Sequence, residues 1–310
     1  MNISGYFLFP GQGAQVVGMA QDCVKAGGYA KSLFEEADEA LGFSLSNLVF
    51  SGTEEELAKT ENCQPALLVA SLAYFETLRE RCNVEVTGAS GLSLGEYTAL
   101  VALDALDFAD AVRLVRLRGQ LMEKAIQGRD SGMLSVIGLE DAKVEEICAE
   151  ASAAGVIVPA NYNCPKQLVV SGESKAIDKA EELAKKAGAK LAVRLKVSGA
   201  FHSPLMEPAR AELAKALADV PVRTLNGKFI NNADAKFLKE PEEIKESLAR
   251  QLVSPVRWTQ SMQLAAANGD KIFYECGPGK VCQGLMKRID PTCDVTSVNS
   301  LLVVEDIEDQ

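Results

Sequence analysis

Residues 86–100 read VTGASGLSLGEYTAL: small and β-branched residues up to Ser90, then Gly91-Leu92-Ser93-Leu94-Gly95, then an apolar run from Tyr97. An extended approach, a G-x-S-x-G turn and an apolar helix together form the pattern of a nucleophile elbow. The glycines let strand and helix approach closely, and the serine hydroxyl is left at the mouth of a sheet. The following helix, expected over 94–105, turns its free N–H groups and positive dipole end toward a developing anion. Five residues alone fit a glycine-rich turn capped by a serine equally well; the flanking strand and helix favour the elbow.

Outward from that turn, the texture is that of alternating strands and helices. Tyr6-Phe7-Leu8-Phe9 reads as a buried strand stopped by Pro10-Gly11-Gln12-Gly13. Helices are expected over 30–41, 65–81 and 107–125, the last with Asp107 as N-cap and Gly128 just past its end. From Gly128 the pattern changes. MLSVIGL (133–139), a helix over 140–155, VIVPANYN (156–163), QLVVSG (167–172), a helix over 174–188 and KLAVRLKV (190–197) give β-α-β-β-α-β, the ferredoxin-like order. Its last strand alternates, with Leu191, Val193, Leu195 and Val197 on one face. After Gly199 come helices near 205–219 and 241–252, a strand at Lys271–Glu275 entering Cys276-Gly277-Pro278-Gly279, and an acidic tail expected to fray. The fold expected is therefore α/β: an α/β-hydrolase-like catalytic domain, discontinuous over 1–127 and 198–310, with a ferredoxin-like α+β subdomain inserted at 128–197.

Composition narrows the function. The chain has 310 residues, 32 Lys and Arg against 43 Asp and Glu, and a net charge of −11. At 47% hydrophobic and 24% charged it is globular rather than disordered. An acidic chain is a poor general nucleic-acid binder. Its eight cysteines are scattered without zinc-type spacing and read as reduced, buried thiols. The N-terminal residues carry no basic leader, and no apolar run reaches the length of a membrane span, so a cytoplasmic protein is expected. The single histidine excludes His-rich metal sites and leaves one imidazole for acid–base work.

A serine hydroxyl needs a base to become a nucleophile. His202, in a loop between a strand and a helix, is the only imidazole available, although a surface-loop histidine would be the ordinary reading. Arg118 has Leu114, Val115, Leu121 and Met122 as its helical neighbours, so it points from the buried stripe. A guanidinium cannot shed its proton and is costly to bury unpaired; it needs either an internal Asp or Glu or the carboxylate of a substrate. The backbone N–H of Gln12 could complete an oxyanion hole with that of Leu94.

FLFPGQGAQ (7–15), GLSLGEYTAL (91–100), RLRG (116–119) with Met122 nearby, GAFHSPLM (199–206), QLVSPVRW (251–258) and ECGPGKV (275–281) together resemble the malonyl-CoA:acyl-carrier-protein transacylases of type II fatty acid synthesis. The resemblance runs in order along nearly the whole chain, inserted subdomain included. It implies Ser93 as nucleophile and His202 as general base, with the N–H groups of Gln12 and Leu94 as oxyanion hole. It also implies Arg118 as binder of the malonyl carboxylate, the backbone carbonyl of Gln251 orienting the histidine, and Met122 and Asn163 lining the pocket. Leu92 stands where the family often has histidine. Ala200-Phe201-His202 resembles the malonyl-selective loop of related polyketide acyltransferases, and Phe201 would fill the space of a 2-methyl group. Such a difference is worth about 1–3 kcal/mol.

The resemblance implies ping-pong transfer from malonyl-CoA to the phosphopantetheine thiol of acyl carrier protein, with no metal or organic cofactor and a monomer as the simplest assembly. Carrier proteins of this family are acidic, so docking calls for a local basic patch. Lys185, Lys186, Lys190, Arg194 and Lys196 are the candidates, although an edge strand guarded by Lys and Arg reads equally well. A serine esterase or thioesterase would share the elbow without needing a buried arginine. A non-catalytic carrier-binding module would not need Ser93 or His202, and a stand-alone polyketide acyltransferase is a closer variant.

Overall fold

The computed structural model describes residues 1–309; Gln310, the last residue of the expected catalytic domain, lies outside them. The chain opens with β1 (Asn2–Phe9), followed by α1 (Gln21–Ala26), α2 (Tyr29–Leu41), α3 (Leu45–Ser51), α4 (Glu54–Ala58) and α5 (Thr60–Arg81). Then come β2 (Asn83–Gly91), α6 (Gly95–Ala102) and α7 (Phe108–Ile126). Tyr6 to Phe9 are buried without interruption, as a central strand covered on both faces must be.

Two helices depart from the sequence expectation for identifiable reasons. α5 begins five residues before Pro65, which it contains. The proline withholds an N–H from the Glu61 carbonyl one turn earlier, and that carbonyl accepts from Arg116 Nη1 instead at 2.8 Å. α6 stops at Ala102 rather than 105, and Asp104 turns to a φ of 57°. Asp107 does occupy the N-cap position of α7 but makes no capping bond. Its carboxylate accepts from Arg223 Nη1 at 2.9 Å.

The second segment comprises β3 (Ser131–Ile137), α8 (Asp141–Ala151), β4 (Ile157–Cys164), β5 (Gln167–Glu173), α9 (Ser174–Lys186) and β6 (Leu191–Arg194). Its strands form one antiparallel sheet in the order β4-β5-β3-β6. Leu134, Val136, Leu168 and Val170 of that sheet share a core with Val144 and Ile177 of the two helices. β6 is an edge strand and ends three residues before the expected Val197. Its alternating face does not join this core: Leu191 and Val193 are 50% and 42% exposed.

The chain then returns through α10 (Glu207–Asp219), β7 (Lys228–Ile230), β8 (Phe237–Leu238), α11 (Pro241–Gln251), α12 (Trp258–Ala267), β9 (Ile272–Cys276), α13 (Val281–Ile289), β10 (Asp294–Val298) and α14 (Leu301–Glu308). The larger sheet has the order β10-β9-β1-β2-β7-β8, parallel except at β7–β8. The acidic tail is not frayed. It forms α14, capped by Ser300, with Val304 and Ile307 buried and Arg81 paired to Glu305 and Glu308. The register places Phe9 beside Gly91, so the Pro10–Gly13 loop and the Ser93 turn leave the sheet side by side.

Candidate active site

The elbow is a consequence of crowding. Ser93 lies at a φ of 52°, a left-handed conformation that a non-glycine residue adopts only when its surroundings enforce it. A Cβ at Gly91 would sit 2.0 Å from the Gly95 carbonyl carbon, and one at Gly95 would sit 2.4 Å from the Phe9 oxygen. The Ser93 N–H donates to Asn232 Oδ1 at 2.6 Å, and Asn232 Nδ2 donates to the Gly91 carbonyl at 2.8 Å. The turn is thus tied to the segment that follows β7.

His202 also has a left-handed backbone, with φ 57°, in a loop closed by the Ser203 hydroxyl donating to the Ala200 carbonyl at 2.7 Å. Its Nε2 lies 2.8 Å from Ser93 Oγ, and its Nδ1 lies 2.9 Å from the backbone oxygen of Gln251. A carbonyl only accepts, so Nδ1 carries the proton and Nε2 presents its lone pair to the serine. Burial, reinforced by the nearby Arg118 cation, pushes the imidazole down to about 4. It is therefore neutral at physiological pH, with its Nε2 lone pair free to take the serine proton.

Arg118 is 1% exposed. Among the described residues no carboxylate pairs with it directly. Nη1 donates to Gln64 Oε1 at 2.8 Å, while Nη2 donates to Gln251 Oε1 and to Ser93 Oγ, each at 2.9 Å. Nε is buried and finds no acceptor. The fork thus has one unused donor, Nε, beside an Nη2 shared between Gln251 and the serine.

These groups open on a cavity of about 320 Å³. Gln12, Leu94, Met122, Asn163 and Phe201, all singled out in the sequence, border it. Neither the Gln12 nor the Leu94 backbone N–H meets a protein acceptor among the described residues. Met133 and Val169 of the smaller sheet complete the wall, so the cavity lies between the two sheets. Leu195 and Val197, beyond the end of β6, line it as well.

The candidate basic patch is partly neutralised. Lys185 pairs with Glu181, and Arg194 with Asp178 and Glu181. Lys186, Lys190 and Lys196 form no ion pair among the described residues.

Three polar residues of the site were not singled out in the sequence. Gln64 and Asn232 carry no motif that would mark them. Glu96 reads as an ordinary acidic residue in a helix's first turn, yet it is fully buried. Its Oε1 accepts from the Asn232 N–H at 2.5 Å and its Oε2 accepts from Gln251 Nε2. Burial, offset in part by these donors and by Arg118, pushes its carboxyl up to about 8.

Residues 6–300 match the acyl transferase domain family. The chain is 42% identical over 293 residues to the malonyl CoA-acyl carrier protein transacylase of Escherichia coli K12, covering 94% of this chain and 95% of that one. It is 42% identical over 300 residues to the Bacillus subtilis 168 protein of the same name, with 96% and 94% covered. An acyl carrier protein S-malonyltransferase from Vibrio cholerae superposes with a TM-score of 0.94 at 42% identity, covering 97% and 99%. A malonyl-transacylase solved in complex with the acyl-carrier protein of a type II polyketide synthase superposes with a TM-score of 0.95 at 38% identity, covering 98% of each chain. The chain belongs to the malonyl-CoA:acyl-carrier-protein transacylase family.

Proposed function

We propose that this enzyme moves malonyl from malonyl-CoA to the phosphopantetheine thiol of acyl carrier protein through a malonyl ester of Ser93, supplying fatty acid synthesis in the cytoplasm. The observation that carries the proposal is the position of Ser93 Oγ, 2.8 Å from a neutral imidazole nitrogen and 2.9 Å from a buried guanidinium.

In the first half-reaction Ser93 Oγ attacks the thioester carbonyl and gives its proton to His202 Nε2. The oxyanion is received by the N–H groups of Gln12 and Leu94, the latter at the N-terminus of α6. One such donor is worth about 3–4 kcal/mol. His202 then returns the proton to the departing CoA sulfur, leaving malonyl-Ser93. In the second half-reaction His202 deprotonates the carrier thiol, which attacks the ester, and the proton passes back to Ser93 Oγ. The malonyl carboxylate takes the Nε–Nη2 edge of Arg118, satisfying the donor the protein leaves unpaired and drawing Nη2 off the serine. Phe201 narrows the space beside the malonyl C2, and Met122 and Asn163 shape the remaining wall. The acyl group itself requires no metal or organic cofactor in this scheme.

The carrier docks over the face that carries Lys186, Lys190 and Lys196, which form no ion pair among the described residues; Lys196 stands between Leu195 and Val197 of the cavity wall. The order of the smaller sheet supports a ferredoxin-like subdomain over 128–197, and the elbow on a parallel sheet supports an α/β-hydrolase-like domain over 1–127 and 198–310. No helix among the described residues is long and apolar enough to cross a membrane.

The test is to mix the protein with malonyl-CoA and read its intact mass, then add holo carrier protein. A malonyl adduct that is absent in Ser93→Ala and moves to the carrier thiol supports the proposal. Release of malonate to water in preference to the carrier would make the protein a thioesterase.

A further inference from the structure

Glu96 is a fully buried carboxyl at the second position of α6, and the acyl-transfer steps above make no use of it. Its two oxygens serve two different parts of the site. Oε1 holds the Asn232 N–H, and Asn232 in turn accepts the Ser93 N–H and donates to Gly91. Oε2 holds the side-chain amide of Gln251.

Gln251 is the more informative partner. An amide has two donors and one acceptor atom, and all are engaged. Nε2 donates to Glu96 and to the Ser93 carbonyl, the latter at 2.9 Å; Oε1 accepts from Arg118 Nη2 at 2.9 Å. The backbone oxygen of the same residue accepts from His202 Nδ1 at 2.9 Å. Turning the amide over would set an NH₂ against the guanidinium and an oxygen against two acceptors. A side chain that accepts at position 96 and the Ser93 carbonyl together keep the amide oxygen facing Arg118.

We infer that Glu96 is a positioning residue: it fixes the orientation of the Gln251 amide, and through it the Arg118 fork that selects a carboxylate-bearing acyl group. This rests on the malonyl-transfer reading above and names the residue that makes its selectivity possible. It also explains why Gln251 contributes its side chain as well as its backbone: one residue sets the imidazole from its carbonyl and the guanidinium from its amide. Isosteric Gln at position 96 has one oxygen and one NH₂. If the oxygen stays on Asn232, the NH₂ meets the Gln251 NH₂ and pushes that amide off its seat between the Ser93 carbonyl and Arg118. The bond from Arg118 Nη2 to the amide oxygen is then weakened.

The experiment compares single-turnover acylation of Ser93 by malonyl-CoA and by acetyl-CoA, followed by intact mass, in wild type, Glu96→Gln, Gln251→Leu and the double variant. Wild type must first form malonyl-Ser93; if it does not, the transfer reading itself fails, separately from this inference. The malonyl-to-acetyl ratio should fall about tenfold in Glu96→Gln, the size of one mispaired hydrogen bond to a charged group. Gln251→Leu keeps the backbone carbonyl that holds His202 and should lower the ratio to a similar extent. The double variant should show no further fall in ratio, because the relay has one path. An unchanged ratio in Gln251→Leu overturns the inference whether or not Glu96→Gln folds. So does a Glu96→Gln protein that loses thermal stability or slows equally with both thioesters, since Glu96 would then only brace the elbow.

Discussion

Arg118→Ala should separate malonyl transfer from acetyl transfer. The guanidinium is 1% exposed and held in place by Gln64 and Gln251, so a carboxylate meeting its Nε–Nη2 edge gains two charge-assisted bonds without ordering the arginine. Each such bond is worth about 1.5–3 kcal/mol, so the lower end of the pair is about 3 kcal/mol. At about 1.4 kcal/mol per tenfold, malonyl-CoA kcat/KM should fall at least roughly a hundredfold. Acetyl-CoA brings no carboxylate and in the wild type leaves Nε buried without a partner. Its kcat/KM should therefore fall by less than about tenfold, a bond or less to Ser93, or rise. The truncation also strips the donor from Gln64 Oε1 and Gln251 Oε1, so thermal unfolding is measured alongside. Acyl-Ser93 formation is followed by intact mass in single-turnover mixing with each thioester. Parallel hundredfold losses with both, in a protein still folded at the assay temperature, would refute the reasoning and reduce Arg118 to a brace for Ser93.

The remaining predictions concern the imidazole, the elbow and the docking face. Because His202 is held down to about 4, kcat/KM for malonyl-CoA should stay level from pH 8 to about 5 and fall only below that. The malonyl carboxylate offsets Arg118, so the acid limb of kcat should lie at higher pH than that of kcat/KM; a limb near the ordinary histidine value in kcat/KM would mean that the free imidazole is not desolvated. The depressed value also implies that the unfolded chain takes up a proton which the folded chain refuses, so His202 works against stability as pH drops from about 6.5 toward 4, opposite in sign to the raised Glu96 carboxyl; urea titrations at stepped pH should show His202→Ala keeping its stability better than wild type through that window. Gly95→Ala would drive a Cβ to 2.4 Å from the Phe9 oxygen, a backbone atom that cannot swing aside, and should abolish acylation or lower the Tm by several degrees; wild-type values for both would contradict the packing. Charge reversal at Lys186, Lys190 and Lys196 together should raise KM for the carrier severalfold and leave that for malonyl-CoA unchanged, with initial-rate assays varying one substrate at a time as the check.

The parts of the site legible in the sequence were those in which a local pattern carries a geometric demand. G-x-S-x-G implies a turn that only glycine can flank, and Gly91 and Gly95 face that crowding. Arg118 stood out because an ionised group on an apolar helical stripe must find a partner. What was not legible is non-local. Gln64, Asn232 and Glu96 gain their roles from neighbours 54, 139 and 155 positions away, and nothing adjacent to them in the chain announces it. The same holds for the fold. The long amphipathic α7 lies within a residue of its expected bounds, whereas α5 absorbs a proline because Arg116, distant in sequence, satisfies the orphaned carbonyl. The charge of the tail suggests fraying, yet Val304 and Ile307 give it a face to bury.

The choice of a backbone carbonyl to orient His202 follows from the substrate's charge. A carboxylate in that place, the usual third member of a serine triad, would hold the tautomer equally well. Here it would also lie beside Arg118, since the residue that holds His202 Nδ1 is the one whose side chain meets Arg118 Nη2. It would form an ion pair with the guanidinium and repel the acyl carboxylate that the cavity is built to receive. A neutral carbonyl fixes the imidazole and leaves the cation uncommitted. Glu96 supplies acceptor oxygens near the arginine, but one amide away, where it orients the fork without occupying it. The absence of a triad acid and the presence of a buried, carboxylate-free arginine are therefore two consequences of a single requirement: the site must keep one positive charge in reserve until the substrate arrives.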